Sequence, residues 1–243
     1  NKLIKTQHTV VIGKHRGKNI MRTLLFFLLI ITLSNVSSAQ TTAIPDANFE
    51  QAIIDLGYDN GVPDGFVITV NIDTVSSLNL ATKNISDLTG IQDFIGLTTL
   101  YCQQNLLTVL DISQNTGLTD LSCGLNQLTS LDISQNTAIT KLNCRNNVIT
   151  TLDVSQNTLL TELHCEGNQL SSLDVSQNTA LINLSCFNNQ LTSLDISQNT
   201  VLVNLYCKNN PLATLDISQN TLLTYLNCRN NLLINLDISQ NTG

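Results

Sequence analysis

Apolar and polar positions alternate with one fixed period from residue 97 to residue 243. The clearest copy covers 118–138 and carries Leu118, Leu121 and Cys123 before Asn126, then Leu128, Leu131 and Ile133 before Asn136. Seven cysteines, from Cys102 to Cys228, and seven aspartates, from Asp111 to Asp237, recur every 21 residues. A period of this length without slippage is typical of a solenoid in which each copy forms one coil and buries its neighbours.

Each copy contains the same apolar phrase twice, Leu-x-x-Leu-x-Cys-x-x-Asn and Leu-x-x-Leu-x-Ile-x-x-Asn. The alternation predicts a strand with its apolar side chains inward, and the Asn amide is suited to turning the chain. We therefore predict a β-rich solenoid, a leucine-rich-repeat array with two parallel β-sheets on opposite sides of a flattened coil. Two Asn ladders should run along it, Asn105 to Asn231 and Asn115 to Asn241.

Residues 40–74 do not repeat and are predicted to form a small helical cap. Pro45 and the apolar positions Phe49, Ala52 and Ile53 indicate a short amphipathic helix that stops at Gly57, and residues 66–72 suit a strand. The acid-rich loop between Asp55 and Asp64 misses the spacing of a calcium-binding EF-hand, so a solvated turn is favoured over a calcium site. Residues 75–96 form an atypical opening repeat, and the seven regular repeats occupy 97–243.

Residues 1–39 are interpreted as an upstream extension and a signal peptide. A basic stretch ending at Arg22 leads into an apolar run, 23–33, and then into small residues that suit cleavage after Ala39. The run is too short to span a bilayer stably, so we expect a secreted or cell-surface protein with no stable membrane span after signal removal. The alternative is a buried helix or a membrane anchor.

Charge narrows the choice of partners. Residues 1–40 hold six of the eleven basic groups and no acid, so five basic and eighteen acidic side chains remain, with a net charge near −13. Nucleic acids and anionic lipids require clustered Lys and Arg, and this average charge argues against both.

The cysteines are expected to be buried and reduced. Parallel strands stack about 4.8 Å apart with parallel Cβ vectors, whereas a disulfide requires Cβ atoms roughly 3.8 Å apart. One Cys per repeat therefore predicts small apolar side chains in the core.

The two halves of each copy differ in their outward residues. Those beside Cys vary from coil to coil, whereas those beside Ile or Val are Asp and Ser in every coil. A varied exposed face is a natural recognition surface, with Phe187 and Tyr206 forming a modest apolar patch; the alternative is free drift of exposed positions. The candidate ligand-binding residues are Tyr101, Gln103, Arg145, His164, Glu166, Phe187, Tyr206, Lys208 and Arg229.

The stacked aspartates should repel one another. One explanation is that each carboxylate accepts hydrogen bonds from a neighbouring Ser, Thr or backbone amide. The other is a cation ladder, with calcium on Asp132, Asp153, Asp174, Asp195 and Asp216. The first is favoured, and we expect no resident metal and no cofactor.

The repeat phrases, the cap Ile-Pro-Asp-Ala-Asn-Phe-Glu at 44–50 and the Leu-Thr-Gly-Ile at 88–91 resemble secreted bacterial leucine-rich-repeat proteins of the internalin type. The resemblance implies export, residence at the cell surface or outside the cell, and recognition of a protein or glycan. Regular copies run to the last residue without a polar cap, so we expect the array to continue past residue 243.

No catalytic set is found, and we predict that these residues do not form an enzyme. His164 is the only neutral-pH base within the repeats, and its neighbour Cys165 points inward. The leading hypothesis is an adhesin-like binding module for an extracellular protein or glycan. The alternatives are a structural spacer, the targeting part of a secreted enzyme whose catalytic domain lies elsewhere, and a ladder that binds ice or mineral.

Overall fold

The computed structural model describes residues 39–241, which form a solenoid with a small N-terminal cap. The cap consists of strand β1 (Thr41–Ala43), helix α1 (Ala47–Asp55) and strand β2 (Phe66–Ile68), and β1 pairs with β2 in an antiparallel ribbon. The predicted signal peptide lies almost wholly outside the described residues. Within 39–241, no helix is long and apolar enough to cross a bilayer.

Helix α1 begins and ends where its sequence indicates. The Asp46 carboxylate accepts hydrogen bonds from the backbone N–H groups of Asn48 and Phe49, at 2.9 and 3.1 Å, and so caps the helix. Gly57 follows the last turn with φ +81°, a conformation that favours glycine. The expected strand over 66–72 is shorter than predicted, because Thr69–Asn71 forms a 3-10 turn in which the Thr69 carbonyl accepts from Ile72.

The main element is a parallel sheet to which every coil contributes one three-residue strand. In chain order the strands are β3 (Ser77–Asn79), β4 (Thr99–Tyr101), β5 (Asp120–Ser122), β6 (Lys141–Asn143), β7 (Glu162–His164), β8 (Asn183–Ser185), β9 (Asn204–Tyr206) and β10 (Tyr225–Asn227). The register advances by one repeat per coil, as in the pairing of Leu100 with Leu121. The predicted β-solenoid with a parallel sheet is confirmed.

The second parallel sheet was predicted wrongly: within residues 39–241 the Asp-bearing halves contain turns instead of strands. In one coil the Ser134 N–H donates to the Asp132 carboxylate at 2.9 Å, and the Asn136 N–H donates to the Ile133 carbonyl at 3.0 Å. Because these amides are satisfied locally, they are not free to bond to the next coil. The same apolar phrase therefore gives a strand in one half and a pair of turns in the other.

The interior is a continuous stack of Leu, Ile, Val and Cys side chains, joined to the cap through Phe49 and Phe94, whose ring centroids lie 6.2 Å apart. Both predicted Asn ladders are confirmed. The Asn147 amide donates to the carbonyls of Cys123 and Cys144, at 3.2 and 3.0 Å. In the other ladder Asn136 donates to the carbonyls of Ile112 and Asn115, both at 2.9 Å. Each amide thus ties one coil to the coil before it.

Candidate functional site

The outward side chains of strands β4 to β10 form one continuous surface, which we call the outer face. Each coil supplies three of them, because residues on either side of the buried Leu and the buried Cys point away from the core. The first row is Thr99, Asp120, Lys141, Glu162, Asn183, Asn204 and Tyr225; the second is Tyr101, Ser122, Asn143, His164, Ser185, Tyr206 and Asn227; the third is Gln103, Gly124, Arg145, Glu166, Phe187, Lys208 and Arg229.

The local backbone explains why the third row belongs to the sheet surface. Hydrogen bonding continues past each strand, since the Cys102 N–H donates to the Ser122 carbonyl at 2.8 Å and the Gln104 N–H donates to the Gly124 carbonyl at 3.0 Å. The chain then turns through a residue with positive φ, such as Gln104 at 57°. The outer face is therefore wider than the strands themselves.

All nine predicted ligand-binding residues lie in the second and third rows of the outer face. The first row was missed, including Asp120, Lys141, Glu162 and Tyr225. The same alternation could have identified this row, because the residue before each inward Leu points outward just as the residue after it does.

The N-terminal part of the outer face holds a shallow depression of about 320 Å³. The Tyr101 hydroxyl donates to the Asp120 carboxylate at 2.9 Å, which raises the pKa of Tyr101. Lys141 Nζ lies 2.9 Å from Glu162 Oε1, and this hydrogen-bonded pair raises the pKa of Lys141. Opposite charges on neighbouring coils therefore neutralise one another across this part of the face.

Glu166 was predicted to be an exposed ligand-binding residue, but the structure buries it. Its side chain is only 7% exposed, its Oε2 atom has no hydrogen-bond donor, and the nearest cation-forming group is His164 Nδ1 at 3.9 Å. Alternation predicts the direction of a side chain but not how far the neighbouring coils cover it. Glu166 is therefore a buried member of the third row.

The C-terminal part of the outer face is aromatic and basic. The rings of Tyr206 and Tyr225 lie 4.7 Å apart at an angle of 33°. Lys208 Nζ lies 4.7 Å from the centre of the Phe187 ring, a cation–π contact. The predicted apolar patch of Phe187 and Tyr206 thus consists of two pairs, each formed with a residue from the next coil.

Charges are segregated between the two sides of the solenoid. Of the five basic residues after residue 40, four lie on the outer face: Lys141, Arg145, Lys208 and Arg229. The turns of the other half carry one aspartate per coil and no basic residue. The residues after 40 have a net charge near −13, but most of their cations are concentrated on the outer face.

The stacked aspartates form local turns, as the favoured explanation expected. In each of the candidate positions Asp132, Asp153, Asp174, Asp195 and Asp216, the carboxylate accepts from the N–H of the Ser two residues later at 2.9 Å. That hydrogen bond lowers the pKa of each carboxyl. Within residues 39–241, no three His, Cys, Asp or Glu side chains are grouped to hold a metal ion.

The seven cysteines are free thiols on the inner side of the array. Cys165 is fully buried, whereas the neighbouring His164 lies on the outer face, so the two side chains do not form a pair. Burial raises the pKa of the Cys102 and Cys207 thiols to about 12. The cysteines are therefore core residues and contribute nothing to the outer face.

Comparison with known proteins supports the same fold. No protein-family model matches the sequence. A 42-residue stretch, 17% of this chain, is 48% identical to internalin J of Listeria monocytogenes and covers 5% of that protein. The solved functional domain of internalin J, which includes a cysteine ladder, aligns with a TM-score of 0.69 and 37% identity over 86% of this chain.

This chain spans about half of that internalin J domain, 52% of its length. Internalin C2 of Listeria monocytogenes aligns with a TM-score of 0.74 over 85% of this chain and 94% of its own, at 22% identity, and so supports the fold alone. The predicted resemblance to internalin-like leucine-rich-repeat proteins is confirmed.

Proposed function

We propose that this chain is a secreted or cell-surface binding module whose outer face recognises an extracellular protein or glycan. The observation that carries the proposal is the contrast between the two sides of each coil. The outward residues of the strands differ in every coil and include Tyr, Phe, Arg, Lys and His, whereas the Asp-bearing turns repeat the same residues. Aromatic and Arg side chains are those most often found to anchor interfaces.

The likeness to internalin J, over about half of its functional domain, supports a binding repeat module rather than an enzyme. The second candidate is a structural spacer, which the uniformity of the coil spacing favours, since every coil adds the same rise. A third is the targeting part of a secreted enzyme. The spacer differs from the binding module in one testable respect, because its outer face contacts nothing.

The test compares variants of the two sides of the solenoid. The labelled chain is applied to an array of extracellular glycans and cell-surface ectodomains. The outer-face triple variant combines Arg145→Ala, Phe187→Ala and Tyr206→Ala. It should bind the ligand found on the array roughly ten-fold or more weakly than the parent, because removing central anchors costs at least about 1.4 kcal/mol.

The matched control replaces three exposed glutamines of the Asp-bearing half, Gln135→Ala, Gln156→Ala and Gln177→Ala. These side chains make at most a 3.4 Å contact with the preceding Ser hydroxyl, so binding should be unchanged. If no member of the array binds, or if both triple variants bind as the parent does, the spacer is the better description.

A further inference from the structure

We infer that the C-terminal end of the outer face binds an acidic polysaccharide, a linear glycan that carries carboxylate or sulfate groups. The site is the aromatic–basic patch, defined as Phe187, Tyr206, Lys208, Tyr225 and Arg229. This inference rests on the proposed function, since it names the ligand class of that same face.

The charge of the outer face changes along its length. The outward residues of strands β5 to β7 include three acids, Asp120, Glu162 and Glu166, against Lys141 and Arg145. Those of β8 to β10 include Lys208 and Arg229 and no acid. An anionic ligand is therefore attracted to the end of the face that carries the patch, where no acid offsets the two cations.

The aromatic rings of the patch present flat apolar surface beside those cations. Tyr225 is 46% exposed and packs against Tyr206 at a tilt, with a centroid distance of 4.7 Å, while Lys208 lies over Phe187. The C–H face of a pyranose ring is apolar and flat, and a tyrosine face covers it while the phenol hydroxyl stays in water. The patch therefore places a cation for the acidic group of a sugar beside an aromatic ring for its apolar face.

Two rows of amides border the patch. In the first row of the outer face, the Asn204 amide donates to the Asn183 side-chain oxygen. In the turn after the third row, Asn230 donates to Asn209, and Asn209 donates to Asn188. A carboxamide has two N–H donors and two acceptor lone pairs, so each of these side chains keeps hydrogen-bonding capacity for a ligand. Paired donors and acceptors in rows match the vicinal hydroxyls of a sugar chain.

The repeat supplies the spacing of a linear ligand. Successive coils stack about 4.8 Å apart, which is close to the length of one pyranose residue in an extended chain. Sugars that lie along the solenoid axis therefore meet one set of side chains per coil. Duplex DNA is a poorer match, because it carries one charge per about 1.7 Å of its axis, which is denser than one acidic group per sugar, and the patch offers two cations.

The experiment measures binding of the full chain by calorimetry and affinity electrophoresis. The probes are polygalacturonate, which carries only carboxylates, a carrageenan, which carries only sulfates, and neutral dextran. We expect at least one anionic polysaccharide to bind and dextran not to bind, with the affinity falling as salt rises from about 0.1 M to about 1 M. Comparison of the two anionic probes identifies which acidic group is recognised.

Matched variants locate the site. Lys208→Gln with Arg229→Gln should weaken binding roughly ten-fold or more, and Tyr225→Ala should weaken it several-fold. Lys83→Gln with Lys141→Gln removes the same charge outside the patch, from two lysines that already pair with Asp55 and Glu162, and should change the affinity by less than about two-fold. All of these side chains lie on the surface, and thermal unfolding of each variant verifies that it folds.

The inference would be overturned if neither anionic probe bound at concentrations up to about 1 mM, or if both double variants lost the same affinity. It would also be overturned if poly-glutamate, added as a fourth probe, bound more tightly than the two anionic polysaccharides, since the patch would then be a site for acidic peptides. If the outer-face triple variant still loses a ligand on the array, the proposed function stands and only the acidic polysaccharide is excluded. If the triple variant and the parent bind every member of the array equally well, both proposals fail.

Discussion

At the scale of single residues, the turn after the third row imposes the strongest backbone requirement. All seven residues at this position have positive φ, between 51° and 67°, and five of them are Asn or Gly: Asn146, Gly167, Asn188, Asn209 and Asn230. Leu125 is an exception at φ 56°. A leucine in the left-handed region costs roughly 1–2 kcal/mol, because its Cβ approaches the backbone carbonyl.

Leu125→Asn should therefore raise the free energy of unfolding by about 1 kcal/mol, since Asn tolerates this conformation. The gain is measured by urea unfolding followed by circular dichroism. The reverse exchange, Asn146→Leu in the next coil, should lower the free energy of unfolding by a similar amount. Equal stability of both variants with the parent would mean that the turn relaxes to accept either residue.

Single residues also show how far alternation can predict the candidate site. It correctly predicts that Tyr101, Arg145 and Tyr206 share one face, because a strand's period of two is a geometric property of the backbone. It does not predict that Glu166 is buried, since the cover comes from neighbouring coils. Nor does it predict the contact between the Tyr206 and Tyr225 rings, which depends on side-chain rotation.

At the scale of elements, the apolar pattern predicts the strand of the Cys-bearing half correctly but does not predict the turns of the Asp-bearing half. Identical apolar spacing predicts two sheets, and the burial of Leu131 and Ile133 in the Asp-bearing half agrees with that spacing. The backbone differs because Asp132 bonds the Ser134 amide locally at 2.9 Å. Asp two residues before Ser is the visible signal for such a turn, and it outweighs the apolar pattern.

Helix α1 depends on one carboxylate. Asp46 Oδ1 caps the helix, while Oδ2 accepts from the Ser86 N–H and hydroxyl, both at 2.8 Å, and so links the cap to the opening repeat. Partial burial acts to raise the pKa of Asp46, but the hydrogen bonds from Ser86 and the nearby backbone amides outweigh it and hold the pKa below 3.8. The ionised form therefore stabilises the folded state.

Asp46→Ala should lower the free energy of unfolding by about 2 kcal/mol near pH 7, through loss of the helix cap and of the bonds to the opening repeat. A lowered pKa contributes stability above 3.8 that is lost as the pH falls through the folded value. The difference between the variant and the parent should therefore shrink towards pH 2 in urea titrations. Asp59→Ala, in the loop after the helix, is the control and should stay within about 0.5 kcal/mol of the parent.

At the scale of the whole molecule, the stacked thiols make the core sensitive to alkaline pH. Six of the seven cysteines are fully buried, and burial raises the pKa of Cys102 from 9.0 to about 12. The pKa of Cys144 is also raised well above 9.0, again mainly by burial. In the unfolded chain the thiols ionise near pH 9.0, so stability is complete below that pH and is lost as the pH rises above it.

Each buried thiol should therefore cost about 1.4 kcal/mol of stability at pH 10, one unit above the unfolded pKa. Cys144→Ala removes one such group, and its loss of stability between pH 8 and pH 10 should be smaller than that of the parent by this amount. Urea unfolding in the presence of a reductant measures both proteins at both pH values. Ionisation of Tyr and Lys is common to the pair and cancels.

Leu142→Ala is the matched control, because it also leaves a cavity in the core but removes no ionisable group. It should lower stability by about 2–5 kcal/mol at both pH values and keep the pH dependence of the parent. If Cys144→Ala kept that dependence as well, the thiols would have to ionise in the folded state. A core with ionised thiols would be open to water, contrary to the fully buried ladder on which the coils stack.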